Sequence, residues 1–410
     1  MMNKDYQELI ENYIRLALSI NEHLPGYIDS YFGPDEWAQD AGKVGKLELP
    51  TLLQEAERLA VNISQANEWD VQRKDFLMHQ VTAMQMSLRL LAGETVSLVE
   101  EAQALYDIHP TWKDESYFIE YQKWLEDVLP KGGSLRERFE SWQKSIEIPL
   151  EKVEQLLPFL INTFRELTHK KFDLPENESF TVEFISDQSW MAYNQYLGEY
   201  KSRIEINTDM PMQIKDLAVT IAHEGYPGHH TELSTKDARL IKQKGYQEHQ
   251  LTLINSPWAV ITEGIATSAL ETLLTDQELE DLYREELLPR AEMTDIDIKT
   301  IMGVSRAERK VRELWGNAAF MLHEQKKSTS EIVAYLQKYE LSTEKEANRA
   351  IQFISGPLDR SYIFTYTAGY DLLEKLFSTA NREKYFIRLL GEPVTPSRVR
   401  QWIENESHSK

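Results

Sequence analysis

The chain has 410 residues, no cysteine, and a formal net charge of -22, with 45 basic against 67 acidic residues. That length allows two or three domains or one large helical body, and an ordinary hydrophobic share of 41% suits a globular chain with a real core. The charge argues against sequence-independent nucleic-acid binding and docking on anionic membranes, and the missing cysteines exclude disulfides, thiolate catalysis and cysteine-held zinc.

The N-terminal stretch places Tyr6, Leu9, Ile10, Tyr13, Ile14, Ala17 and Leu18 on one face of a helix. It lacks the pattern of a signal peptide, and no apolar run approaches the roughly 20 residues of a membrane span. A cytoplasmic protein is expected. Helical patterns follow from about Leu49 to Asn67, Val71 to Leu91 and Val96 to Tyr106, and Asp114 or Ser116 is positioned to cap the next helix. Pro130 to Ser134 is the clearest turn of the first half, and a helix is predicted from Pro149 to Lys170.

The period then changes. Phe180, Val182 and Phe184 alternate with Thr181 and Glu183, the pattern of a strand, and Ser202 to Asn207 is a second candidate. A small antiparallel sheet is expected just before a helix that starts near Met212. Beyond Pro211 the pattern is helical almost to the end, with Ser328 or Ser330 as a cap and Glu331 in the first turn of one helix. The expected fold class is mainly α, with one small antiparallel sheet beside the helix carrying His223. Residues 1–145 would form a helical region capping a cleft, and 146–410 the catalytic region.

The chemistry concentrates in "AVTIAHEGYPGHHTEL", Ala218 to Leu233. In the usual His-Glu-x-x-His arrangement the second histidine follows one helical turn after the first, on the same face. Here that position holds Pro227, flanked by Gly225 and Gly228. Pro disfavours helix at the preceding residue, and glycine permits unusual dihedrals. In an unbroken helix, at roughly 100° per residue, His229 would sit about 120° off the face of His223. His230 would share that face but lie about 10 Å along the axis. Either a two-residue bulge at Tyr226-Pro227 brings His229 to the usual place, or a kink brings His230; the metal candidates are therefore His223 with His229 or His230. A catalytic zinc takes three protein ligands and keeps one position open. The third candidate is Glu263, which interrupts an apolar helical run beside small Gly264 and Ala266 and follows His223 by enough chain for a helix-loop-helix return.

His-Glu on a helix followed by "TEGIATSALE" resembles the gluzincins, the glutamate-type zinc metallopeptidases. "HEGYPGHH" is similar to a large bacterial group of unknown function defined by His-Glu-x-x-Pro-Gly-His-His, which also carries a Tyr-x-x-Gly segment like Tyr366 to Gly369 here. The resemblance spans roughly Phe180 to Leu376 and implies a zincin-like fold. It also implies a zinc-dependent hydrolase acting on short or unfolded peptides, with a metal-activated water and Glu224 as general base. Tyr366 is then the first candidate to stabilise the oxyanion, with Arg360, Tyr362 and Tyr370 nearby as substrate contacts. The strand Ser202 to Asn207 would be an edge pairing with an extended peptide, and Arg203 would hold a substrate carboxylate. Two other readings keep the same residues: an amidase or other carbonyl hydrolase of a non-peptide, and a non-catalytic helical binding protein that retains the metal site.

Overall fold

The computed structural model describes residues 4–188 and 190–408. The chain is mainly α-helical, and the predicted helices are present at Leu49–Gln65, Val71–Leu91, Leu98–Tyr106 and Leu150–Lys171. Lys4–His23 buries Ile10, Tyr13, Ile14 and Ala17, the apolar face read from the sequence. Asp114 caps Glu115–Val128 by accepting from the Ser116 amide, and Ser328 caps Thr329–Tyr339 in a reciprocal box with Glu331. Among the described residues, no helix is long and apolar enough to cross a membrane.

Buried apolar residues form two clusters. One joins Ala83 to Ile403 through the helices that carry the motif. The other packs the first helices, from Ile10 to Leu88, against Leu233, Leu251, Leu253 and Trp258. Both clusters draw residues from either side of position 145. The strand Ile28–Tyr31 pairs antiparallel with Leu251–Leu253, immediately before the helix that carries Glu263.

Both predicted strands form, at Ser179–Ile185 and Lys201–Asn207, but they pair in parallel, in register from Ser179–Lys201 to Ile185–Asn207. The antiparallel partner is a third strand, Ala192–Gly198, so the sheet is mixed, in the order Ser179–Ile185, Lys201–Asn207, Ala192–Gly198. The Lys201–Asn207 strand is therefore central. Its backbone groups are taken on both sides, and it has no free edge for a peptide; Ala192–Gly198 is an outer strand and lies against the end of the motif helix.

Small residues decide how the site helices approach. Pro257–Thr267 and Ile363–Thr379 meet at Gly264 and Gly369. A Cβ on Gly369 would lie 2.4 Å from the Val260 carbonyl oxygen and 2.8 Å from the Gly264 amide nitrogen. Both obstacles are backbone and cannot swing aside. Gly264 thus admits the tyrosine-bearing helix, and this contact brings Glu263 beside Tyr362. Gly369→Ala is expected to destabilise the fold by about 1–3 kcal/mol, the range for overpacking, read as a lower thermal midpoint.

Candidate metal centre

The motif helix, Ile214–Glu224, buries Leu217, Ala218, Ile221 and Ala222 and presents His223 and Glu224 at its last turn. It stops there because the chain bulges. The Gly225 and Tyr226 amides both return to the Ile221 carbonyl, Tyr226-Pro227 is cis, and the Gly228 amide reaches back to the Ala222 carbonyl at 2.9 Å. Helix restarts at His229 and runs to Lys236. A Cβ on Gly228 would fall 1.8 Å from the His223 carbonyl oxygen, so only glycine fits. Of the two routes open in the sequence, the chain takes the bulge. The His229 ring packs edge-on against the His223 ring, with centroids 4.8 Å apart.

Hydrogen bonds fix which nitrogen each ring leaves free. The Thr262 hydroxyl donates to Glu232 Oε2 at 2.5 Å, so it must accept from His229 Nδ1, 3.0 Å away. The His229 proton is thereby on Nδ1 and the Nε2 lone pair is available. A Lys236 ammonium holds the far oxygen of Glu232. The His223 ring hydrogen-bonds the Ala266 backbone carbonyl, and its Nε2 points to Glu263 Oε2 at 3.6 Å and Glu224 Oε1 at 3.9 Å. One ligand atom each from His223, Glu224 and His229 lies within 4.8 Å of the others.

Glu263 carries the sharpest signal. Tyr362 Oη donates to its Oε1 at 2.8 Å, whereas Oε2 is buried without any hydrogen-bond partner. An unpaired buried carboxylate oxygen is costly, and a divalent cation between Oε2 and the free imidazole nitrogens would satisfy it. The donor set of imidazole and carboxylate fits zinc or a similar ion.

Burial shapes the charges. Desolvation, then the charges of Glu263 and Asp29, push Glu224 up to about 8. Desolvation also pushes Glu263 up to about 8, against the Tyr362 hydrogen bond. Desolvation lowers His229 to about 4 against the pull of Glu232, and it lowers His223 further with help from His229 and Arg312. Both imidazoles are neutral near pH 7, the form that binds metal.

The other sequence candidates divide. His230 stands outside the group. It is fully buried, with Nδ1 on the Ser202 hydroxyl at 2.8 Å and Nε2 on Glu178 at 2.9 Å, so neither nitrogen is left for a metal. Tyr362 is the hydrogen-bond partner of Glu263. Arg360 is engaged by Glu101, 2.8 Å away, and by the Val96 carbonyl. Arg203 is held in the sheet by Gln195 at 2.5 Å and Glu205 at 3.1 Å. Tyr366 lines one cleft with His223 and Arg312. Its hydroxyl makes no hydrogen bond among the described residues, and burial and the charges of Glu263 and Glu224 hold its pKa well above the ordinary value. Tyr370 lines the same cleft, its hydroxyl between Glu271 and Arg309.

Sequence reading missed Thr262, Glu232, Asn194, Asp29 and Glu178. Asn194 Nδ2 holds the Glu224 backbone carbonyl at 2.8 Å. Asp29, from the N-terminal strand, accepts from Tyr193 Oη at 2.8 Å and acts electrostatically on both Glu224 and Glu263. Only Glu232 and Thr262 left a trace in the sequence, the first three residues after His229 and the second beside Glu263.

A mainly helical fold with a buried His/Glu group able to hold a metal ion is the class these features define. No protein-family model and no curated protein matches the sequence. Among solved structures, a provisionally assigned lipoprotein of Colwellia psychrerythraea is similar at 13% identity and TM-score 0.52, covering 91% of this chain and 72% of that one. A second, of unknown function from Shewanella oneidensis, has 11% identity, TM-score 0.52, and covers 89% and 75%. These two share the fold. The M32 carboxypeptidase of Deinococcus radiodurans R1 is a more distant neighbour, at 14% identity and TM-score 0.43 over 98% of this chain and 96% of that one, and adds nothing on function.

Proposed function

We propose that the protein is a zinc-dependent hydrolase of short or unfolded peptides, with His223, His229 and Glu263 as the metal ligands and Glu224 as the general base. The observation that carries this reading is the buried, unpartnered Glu263 Oε2 facing His223 Nε2, with the His229 ring beside it. When bound, the ion supplies Lewis-acid polarisation of the scissile carbonyl and acidifies a water molecule.

The chain's own groups do the rest. Tyr362 and Thr262 orient Glu263 and His229. Glu224, whose backbone Asn194 holds and whose basicity burial raises, takes the proton from the attacking water and delivers it to the leaving amine. Tyr366, its hydroxyl untied, donates a hydrogen bond to the oxygen on which charge develops. Arg312 forms no ion pair among the described residues and lines the cleft with His223, where it meets an anionic part of the substrate. Several acids of that cleft have other cations: Lys215 serves Asp216 and Glu308, Lys113 serves Glu313, and Arg309 serves Glu271. Residues 1–145 cap the cleft in this reading, and the protein acts in the cytoplasm.

The test is elemental analysis of the purified protein, followed by a fluorogenic peptide library, including amidated C-termini, offered to the zinc-loaded form. Zinc near one equivalent and cleavage abolished by a chelator support the reading. A zinc-loaded protein that cleaves no peptide refutes it.

Zinc uptake is also expected to release protons. Glu263 and Glu224, both near 8, are largely protonated at pH 7, and a bound ion requires Glu263 as carboxylate. Affinity therefore climbs as pH rises towards 8 and levels off above it, whereas the neutral imidazoles contribute no proton in that range. Titration calorimetry in buffers of differing ionisation enthalpy measures the protons released.

A further inference from the structure

Glu178 lies just before the sheet, far in sequence from the motif, yet its side chain has no solvent exposure and accepts four hydrogen bonds. Arg165 Nε at 2.7 Å and His169 Nε2 at 2.9 Å bind Oε1, tying the carboxylate to the helix Leu150–Lys171. Oε2 takes the other two, from Tyr226 Oη and, at 2.9 Å, from His230 Nε2. A carboxylate offers about four acceptor sites, and here four donors occupy them.

The two residues on Oε2 bracket the bulge. Tyr226 enters it and His230 leaves it, with Pro227, Gly228 and His229 between them. We propose that Glu178 is the positioning residue for His229: one carboxylate oxygen clamps both ends of the bulge and so holds the second imidazole against the first. Neighbouring contacts close the remaining freedom. Ser202 on the central strand fixes the other His230 nitrogen. The Phe180 ring packs 5.0 Å from Tyr226 and 5.2 Å from His230, and it lies 2.9 Å from where a Gly225 Cβ would be. The bulge is thus held by a buried anchor on the sheet side as well as by Gly228 and the backbone bonds of its own residues.

The inference rests on the metal reading above and is tested separately from it. Glu178→Gln keeps the shape but replaces one acceptor oxygen with an amide donor. Tyr226→Phe removes a single hydroxyl and leaves the ring packing intact. Zinc affinity is measured by competition with a chromophoric chelator, and the visible spectrum of the cobalt-substituted protein reports the ligand geometry. Both variants are expected to bind zinc about 10-fold more weakly, the low end of the range for loss of a group bonded directly to a metal ligand, since they act on His229 through its neighbours, and to show an altered cobalt spectrum with unchanged far-UV circular dichroism. Wild-type affinity and spectrum in both folded variants would overturn the clamp while leaving the metal reading intact. If Glu178→Gln fails to fold, Tyr226→Phe decides. A wild-type protein that binds no zinc would overturn both.

Discussion

Glu224→Gln is expected to keep its zinc and lose peptide hydrolysis by about 10²–10⁴-fold, the usual contribution of a positioned general base. The amide preserves the size of the side chain but cannot take a proton. Glu224 is placed for this task by three features: the motif helix ends at it, Asn194 holds its backbone carbonyl, and burial with neighbouring Glu263 and Asp29 raises its pKa to about 8. In the metal-free protein that value leaves Glu224 largely protonated at pH 7, and the charge of a cation held beside it would favour the carboxylate that accepts the proton. Removing a neighbouring negative charge lowers that pKa, so Asp29→Asn would shift the acid limb of the pH–rate profile downward. A Glu224→Gln variant with wild-type turnover would remove Glu224 from the mechanism.

The second large effect concerns the metal. His223→Ala and Glu263→Ala are each expected to weaken zinc binding by more than the ~10–100-fold that follows loss of an outer hydrogen-bond partner, enough to leave the dialysed protein without metal. Elemental analysis reads this directly. A companion measurement separates ligand loss from damage to the fold. In the metal-free protein Glu263 is a buried acid with one oxygen unsatisfied, so its removal relieves a desolvation penalty. Metal-free Glu263→Ala should therefore unfold at least as late as the metal-free wild type. Added zinc should raise the wild-type midpoint, because it binds the folded state, and leave the variant unmoved.

How much of this was legible in the sequence depends on the range over which each feature is decided. The His223-Glu224 helix, the interruption at Pro227 and the Glu263 helix are local, written in periodicity, in Pro and in small residues. The choice of bulge over kink is not local. It depends on the Gly228 amide reaching Ala222 and on Glu178, whose role no nearby residue announces. Pairing in the sheet was misread for a related reason. The strand Ala192–Gly198, "AYNQYLG", lacks a clean alternation, so its neighbour Lys201–Asn207 looked like an edge. The arginines Arg203 and Arg360 read as free because most of what holds them is distant in sequence: Gln195 and Glu183 on the two flanking strands for Arg203, beside Glu205 on its own strand, and Glu101 from the other end of the chain for Arg360.

Ser30 bonds Thr252 across 222 positions of chain, and that seam lies directly ahead of the helix bearing Glu263. Contacts so distant in sequence form late and slowly. A nascent chain must emerge well past residue 252 before this wall can be joined, and a fragment beginning at 146 would leave one side of Leu251–Leu253 unpaired and the apolar faces of Leu233 and Trp258 uncovered.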